Sequence, residues 1–126
     1  MKGIHSMTTH YLPDPKQGEI WTVDFNPPRG SEISKIRPAV VVSADNIGRL
    51  PLRIVVPVTD WKDRYAQYPW FTEILLTDSN RLNKPSGADG FQVKSIACER
   101  FKKRIGKITG EALEDILLTI DFCLGK

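Results

Sequence analysis

Two side chains in the stretch GSEISKIRPAVVVSADN, residues 30–46, can do chemistry together: Glu32 and, five residues on, Arg37, which stands directly before Pro38 and the apolar run Ala39–Val42. A carboxylate and a guanidinium on a loop entering a buried strand can be held so that one takes a proton while the other grips a phosphate through its two-pronged donor geometry. Such a pair suits cleavage of a ribose–phosphate chain by its own 2′-hydroxyl. The base removes the hydroxyl proton, and the arginine neutralises charge growing on the five-coordinate phosphorus. The plain structural alternative is an Arg–Glu ion pair that holds the loop. Thr59 closes the segment RIVVPVT, where its hydroxyl can donate to a non-bridging phosphate oxygen or satisfy a turn. The segment WKDRYAQYPW, residues 61–70, sets Trp61, Tyr65, Tyr68 and Trp70 beside Lys62 and Arg64. Aromatic faces with interleaved cations fit unpaired bases and their phosphates, or a partner-protein surface or apolar lid.

Elimination narrows the chemistry further. The only histidines, His5 and His10, lie in the polar N-terminal lead, which argues against a histidine acid–base pair or a Ser-His-Asp triad in the core. No Gly-rich phosphate loop is present. Cys98 and Cys123 sit in apolar segments without CxxC or Cys/His spacing, the pattern of packed free thiols in a reducing compartment rather than of a disulfide or a zinc site. A site here has to run on Arg, Lys, Glu, Asp and hydroxyls, with no metal and no cofactor. Net charge is only +3, yet Lys94, Arg100, Lys102, Lys103, Arg104 and Lys107 oppose a single Glu99, while Glu111, Glu114, Asp115 and Asp121 follow. One basic surface is expected, either a solvated strand face or a polyanion contact. With no apolar run able to cross a bilayer and no signal peptide in MKGIHSMTTH, the sequence reads as a soluble cytoplasmic protein.

The elements that must position these residues are mostly strands. GEIWTVDF alternates with Trp21, Val23 and Phe25 on one side; PAVVVSA, RIVVPVT, FTEILL, FQVKSIAC and KKRIGKI are further strand candidates. Pro57 argues for an edge or bulge within RIVVPVT. DSNRLNKPSGADG, residues 78–90, reads as turn. From Thr109 the period changes: Leu113, Ile116, Leu117, Ile120 and Leu124 form one helical stripe, with Thr109 as N-cap and Gly125 at the end. The 126 residues suit one core, read as a lead over residues 1–15 and one domain over residues 16–126. The fold class is α+β, mostly β: a small, strongly curved antiparallel sheet or barrel with a C-terminal helix docked on it.

Together GEIWTVDFNPPRGSE, RPAVVVS, VVPVTD and FQVKSIA resemble the MazF/PemK family of toxin ribonucleases, in that family's order and intervals. The resemblance runs from Lys16 to Gly125. It implies an SH3-like barrel, a homodimer, and sequence-selective, metal-independent cleavage of single-stranded RNA to a 2′,3′-cyclic phosphate and a 5′-hydroxyl. It also implies an acidic, MazE-like antitoxin partner whose flexible tail covers the RNA groove. Position by position, Arg37 looks like the family's catalytic arginine, Thr59 like its strand-end hydroxyl and Glu32 like the base of some members; Gln92 and Lys94 fall where members carry polar residues near the scissile phosphate. Phe91 stands where several members have an aspartate, and Ile36 where some have a histidine. A base from that aspartate is therefore missing, with Asp89 the carboxylate two residues earlier.

Two other classes fit the same barrel. A gyrase-poisoning toxin of the CcdB group uses a C-terminal Trp-Gly-Ile, whereas this chain ends Phe122-Cys123-Leu124-Gly125-Lys126 with no tryptophan after Trp70. An SH3-like adaptor gripping an extended peptide with its aromatic loop leaves Glu32, Arg37 and Thr59 without a role. The apolar stripe Leu113–Leu124 also leads us to expect a dimer.

Overall fold

The structure, a computed structural model, describes residues 12–27 and 29–126. His5, His10 and residues 1–11 of the expected lead lie outside the described residues. Of the rest of the lead, Pro15 is buried, and the Asp14 carboxylate bridges Lys16 at 3.1 Å and Arg53 at 2.9 Å.

Among the described residues there are seven strands and one α-helix: β1 (Glu19–Asp24), β2 (Ile36–Val41), β3 (Leu52–Asp60), β4 (Phe71–Ile74), β5 (Ser86–Asp89), β6 (Lys94–Ala97), β7 (Phe101–Lys107) and α1 (Gly110–Cys123). All ladders are antiparallel, in the order β4-β5-β3-β2-β1-β7, with β6 also lying along β3. Alternation sends the side chains of residues 39–42 and 55–58 to both faces. Val40, Val42, Val56 and Val58 join Ile20, Ile74 and Ala88 in a cluster that receives Ile116 of α1. On the other face Ala39, Val41 and Val55 meet Val23, Phe25, Ile96 and Phe101. Coverage on both faces is why these strands read as continuous apolar runs.

The mostly β fold with a C-terminal helix is as expected, though the ladders do not close on themselves. The ends of the sheet meet instead through the turn after β4, where the Lys107 N–H donates to the Ser79 carbonyl at 3.0 Å. Gly106 makes that approach possible: a Cβ there would lie 2.5 Å from the Ser79 oxygen and 2.6 Å from the Asn80 oxygen. Thr109 caps α1, its hydroxyl accepting from the Ala112 N–H at 3.1 Å, and Gly125, at φ +78°, follows the helix end. Leu113, Ile116, Leu117 and Ile120 pack into the core, while Leu124, placed in the same stripe by spacing, is exposed. No helix among the described residues is long and apolar enough to cross a membrane.

Two elements depart from the sequence reading, and both shape the site. β5 arises inside the stretch read as turn, because Gly87 has no side chain: a Cβ there would sit 3.1 Å from the Trp61 ring and 3.2 Å from that of Phe71. The strand expected to start at Phe91 begins only at Lys94, after a 3-10 turn over Gly90–Gln92. Pro57 explains the interruption. Val42 donates to the Ile54 carbonyl and Ile54 N–H to the Ser43 hydroxyl, so the backbone groups of Ile54 face β2. By alternation those of Pro57 face β5 and β6, where proline has no N–H to give. The partner strand leaves the ladder there.

Candidate active site

Arg37 and Thr59 are set by the β2–β3 register. Ala39 lies opposite Pro57 and Val40 opposite Val56. The paired register ends at Ala39 and Pro57; continued by two residues it would set Arg37 across from Thr59 on one face of the sheet. The Arg37 Nε–H donates to the Ser34 carbonyl at 2.9 Å, which fixes the side chain. Its terminal nitrogens have no hydrogen-bond partner among the described residues, and none is sealed from solvent. A half-buried guanidinium with one anchored nitrogen and two open ones is suited to a phosphate. The expected alternative, an Arg37–Glu32 ion pair, does not form. Ion pairs among the described residues join Asp14 to Lys16 and Arg53, Asp60 to Lys84, and Glu19 to Arg104.

Glu32 is brought to Gln92 and Lys94 by the 3-10 turn. Ala88 pairs with Val58, so an unbroken strand would set Phe91 opposite Val55; Lys94 stands there instead. Three residues are thus thrown out of the ladder, and Gln92 swings to the loop between β1 and β2. Its Oε1 accepts from the Ile33 N–H at 2.7 Å, and its Nε2 donates to the Ser31 carbonyl at 3.3 Å. At the other end of the loop Asn26 Oδ1 accepts from the Lys35 N–H, and Arg100 donates to the Asp24 and Asn26 carbonyls. Between loop and turn opens a cleft of about 390 Å³ lined by Arg29, Ser31, Glu32, Ile33, Phe91, Gln92, Val93 and Lys94. Lys94 faces the same side as Val55, and hence as Thr59, about 13 Å further along β3. Neither Arg37 nor Thr59 lines the cleft that holds Glu32.

The aromatic loop borders Thr59. β5 sets Gly87 opposite Thr59, and over Gly87 lie Trp61 and Phe71. Tyr65 stacks on Phe71 with centroids 4.0 Å apart, and the Arg64 guanidinium lies 5.4 Å from the Tyr65 ring centre. Tyr68 stacks on Trp70 at 5.0 Å. The rings expected to take bases are therefore largely engaged with each other, with Lys62 and Arg64 exposed at their margin. Trp70 meets Phe91 edge-on at 5.9 Å, which joins this wall to the cleft.

Asp89, the carboxylate nearest the missing aspartate, is used structurally. Burial pushes its carboxyl above the usual range, and its Oδ1 accepts from the Phe91 N–H at 3.1 Å, capping the 3-10 turn. Gln92, expected near a phosphate, has both amide atoms on the loop. The basic run divides: Lys102, Lys103 and Lys107 are exposed on β7, Arg104 holds Glu19, and Arg100 pins the loop base. Arg29 and Phe91 are cleft residues that spacing did not single out. Arg29 has a signal in sequence, being three residues before Glu32 on the same loop; for Phe91 the signal is its place where several members of the family that the sequence resembles have an aspartate, though spacing alone does not turn it outward.

The family model described as PemK-like, MazF-like toxin of type II toxin–antitoxin system matches residues 16–124. Endoribonuclease MazF9 of Mycobacterium tuberculosis is 37% identical over 107 residues, 80% of this chain and 88% of its own. Endoribonuclease MazF of Staphylococcus saprophyticus is 24% identical over 110 residues, 87% and 91% of the two chains. Among solved structures, MazF from Deinococcus radiodurans aligns with a TM-score of 0.76 at 21% identity over 92% of this chain and 99% of that one. An endoribonuclease in complex with its cognate antitoxin from a mycobacterial species aligns with a TM-score of 0.69 at 15% identity, covering 88% and 95%. At those identities the solved structures speak for the fold, and the family match over residues 16–124 carries the assignment: the chain belongs to the PemK-like, MazF-like toxins of type II toxin–antitoxin systems.

Proposed function

We propose that this chain, an endoribonuclease by its family, cuts single-stranded RNA at a short sequence motif, without metal or other cofactor, leaving a 2′,3′-cyclic phosphate and a 5′-hydroxyl. In this reading the Glu32 carboxylate takes the proton of the 2′-hydroxyl, whose oxygen attacks the neighbouring phosphorus. The open nitrogens of Arg37 and the Thr59 hydroxyl bind the non-bridging oxygens as charge grows on them. The bond to the 5′-oxygen then breaks, and that oxygen takes a proton from water. Arginine acts here by charge alone, since a guanidinium holds its proton too firmly to be a useful general acid. Lys94 and Arg29 draw the strand into the cleft, with Lys62 and Arg64 beside the aromatic wall.

The observation that carries the reading is the Arg37 guanidinium, anchored at Nε and open at its other nitrogens, on a strand whose register with β3, continued by two residues, points it toward Thr59. The metal-free reading is supported by the donor set: Glu32 is the one carboxylate lining a cleft that also holds Arg29 and Lys94, whereas Mg²⁺ sites draw on carboxylates and phosphates. Base catalysis of about 10²–10⁴ and one oriented donor of about 10²–10³ are the accelerations such groups typically supply. Action in the cytoplasm as a homodimer, blocking translation until an acidic antitoxin of MazE type covers the groove, follows from the same reading. The relative solved with its cognate antitoxin supports the partner.

The test is a cleavage gel of purified protein with single-stranded RNA in EDTA. Cuts at a short motif are expected to persist in chelator, and Arg37→Ala and Thr59→Ala to lose about 10²-fold or more in rate. Undiminished cutting by Arg37→Ala would remove the mechanism, and a folded wild type that leaves a mixed-sequence RNA pool intact would favour a binding module.

A further inference from the structure

We infer that Phe91 is a stacking platform for one unpaired base of the RNA strand, beside the phosphates drawn in by Arg29 and Lys94. This rests on the reading of the chain as a single-strand ribonuclease and adds to it the residue that holds a base at the Glu32 end of the site. Among the rings around the site, Phe91 is the exposed one, whereas Trp61, Tyr65, Tyr68, Trp70 and Phe71 are partly buried and Trp61 meets Tyr65 edge-on. Tyr65 lies flat on Phe71, with an interplanar angle of 6°, and Tyr68 lies flat on Trp70 at 3°. Those faces are occupied. Phe91 touches Trp70 only edge-on, at 80°, an arrangement that covers at most one of its faces, and it is 63% exposed.

An exposed phenyl on a loose loop would be unremarkable, but this turn is held from every side. Its N–H groups are tied to Asp89 Oδ1 at Phe91 and to the Trp70 carbonyl at Gly90, and the Gln92 side chain is bonded to the Ser31–Ile33 loop. Gly90 is wedged against α1, where a Cβ would come 2.4 Å from the Thr119 hydroxyl. A rigid ring with an open face in a cationic cleft is what base stacking requires, because every base has a π-face and little ordering is left to do on binding.

The probe is a labelled single-stranded oligonucleotide carrying the cut site mapped for the wild type, with deoxyribose at the cut position so that no 2′-hydroxyl is there to attack. Phe91→Ala is expected to raise its Kd about 5- to 150-fold, the range for loss of one base–aromatic stack, and Phe91→Trp to bind as tightly as wild type or more so. Abasic substitution along the oligonucleotide should identify one position at which wild type and Phe91→Ala become equal. Equal affinity of Phe91→Ala and wild type overturns the assignment, as does an affinity loss that persists at every abasic position or that Phe91→Trp fails to restore. Cleavage by the wild type read alongside separates the two levels: cutting without a Phe91 effect removes only the platform, and absence of cutting removes the ribonuclease reading together with it.

Discussion

Replacing Gln92 by alanine tests whether this residue binds RNA or clamps the loop that carries Glu32. Its two hydrogen bonds differ in weight. The one from the Ile33 N–H to Oε1 is short, 2.7 Å, and partly buried; the one from Nε2 to the Ser31 carbonyl is 3.3 Å and exposed. A typical net contribution of about 1 kcal/mol for the first and at most about 0.5 kcal/mol for the second gives about 1.5 kcal/mol holding the loop. At 1.4 kcal/mol per factor of ten, the clamped population falls about tenfold relative to the open one. Hydrogen exchange followed by NMR reads this directly: the Ile33 amide of Gln92→Ala should exchange about tenfold faster than in wild type. Amides of the sheet core such as Val40 should be unaffected. In cleavage assays the same variant should lose kcat while KM changes little, because the base and not the strand has been displaced. Gln92→Glu keeps an acceptor for the Ile33 N–H and should keep slow exchange there, even if its charge weakens RNA binding. Unchanged exchange at Ile33 in Gln92→Ala would refute the clamp, and a rise in KM with constant kcat would return Gln92 to the role of an RNA ligand.

Two further substitutions probe the frame. Gly106→Ala should lower stability by about 1–3 kcal/mol, seen as a lower denaturant midpoint, since its Cβ would meet backbone oxygens of Ser79 and Asn80 that have nowhere to move; Gly110→Ala, with nothing within 4 Å of the new methyl, is the control and should be neutral or better. Glu19 is a pH reporter. Burial alone would raise its carboxyl, but the Trp21 indole, the Lys16 N–H and the Arg104 guanidinium outweigh burial and hold it below its ordinary value. A depressed folded-state value means stability that is present at neutral pH and lost as pH falls through and below the unfolded value of about 4.3. The Tm of wild type should therefore exceed that of Glu19→Gln at pH 7 and converge on it near pH 3; a gap that stays constant with pH would show that the difference is steric.

The proposed site was chosen from residue types because the chemistry proposed for it needs types that are rare together: a carboxylate, an arginine at the head of a buried strand, and a hydroxyl at the end of the next. Register did not follow from alternation, since Val40, Val42, Val56 and Val58 face one apolar cluster and Ala39, Val41 and Val55 another. The helix was legible for a local reason, Thr109 and the 3.6-residue stripe acting within one segment. What escaped depends on contacts distant in sequence. β5 has the composition of a turn because Gly87 is selected for the rings of Trp61 and Phe71 lying over it. The Gln92 clamp joins residues 59 apart, and no spacing within FQVKSIAC distinguishes a strand from a turn followed by a strand. The aromatic loop was read by content, yet content does not say whether rings face a ligand or one another.

One missing N–H connects these observations. Pro57 leaves the far side of β3 without a donor midway along the strand, so the partner chain can leave the ladder there at little expense in hydrogen bonds and re-enter three residues later as β6. That excursion turns Gln92 toward the Ser31–Ile33 loop, exposes Phe91 and sets Lys94 opposite Val55. The same strand ends at Thr59, and its other edge fixes the register of β2 and thereby Arg37. β3 thus bears on the proposed phosphate-binding residues through its ladder with β2, and on Glu32 indirectly through the interruption in its ladder with β5 and β6. The two halves of the proposed site are held by opposite edges of one strand, which is why a substitution on the Gln92 side is expected to move the base without moving the arginine.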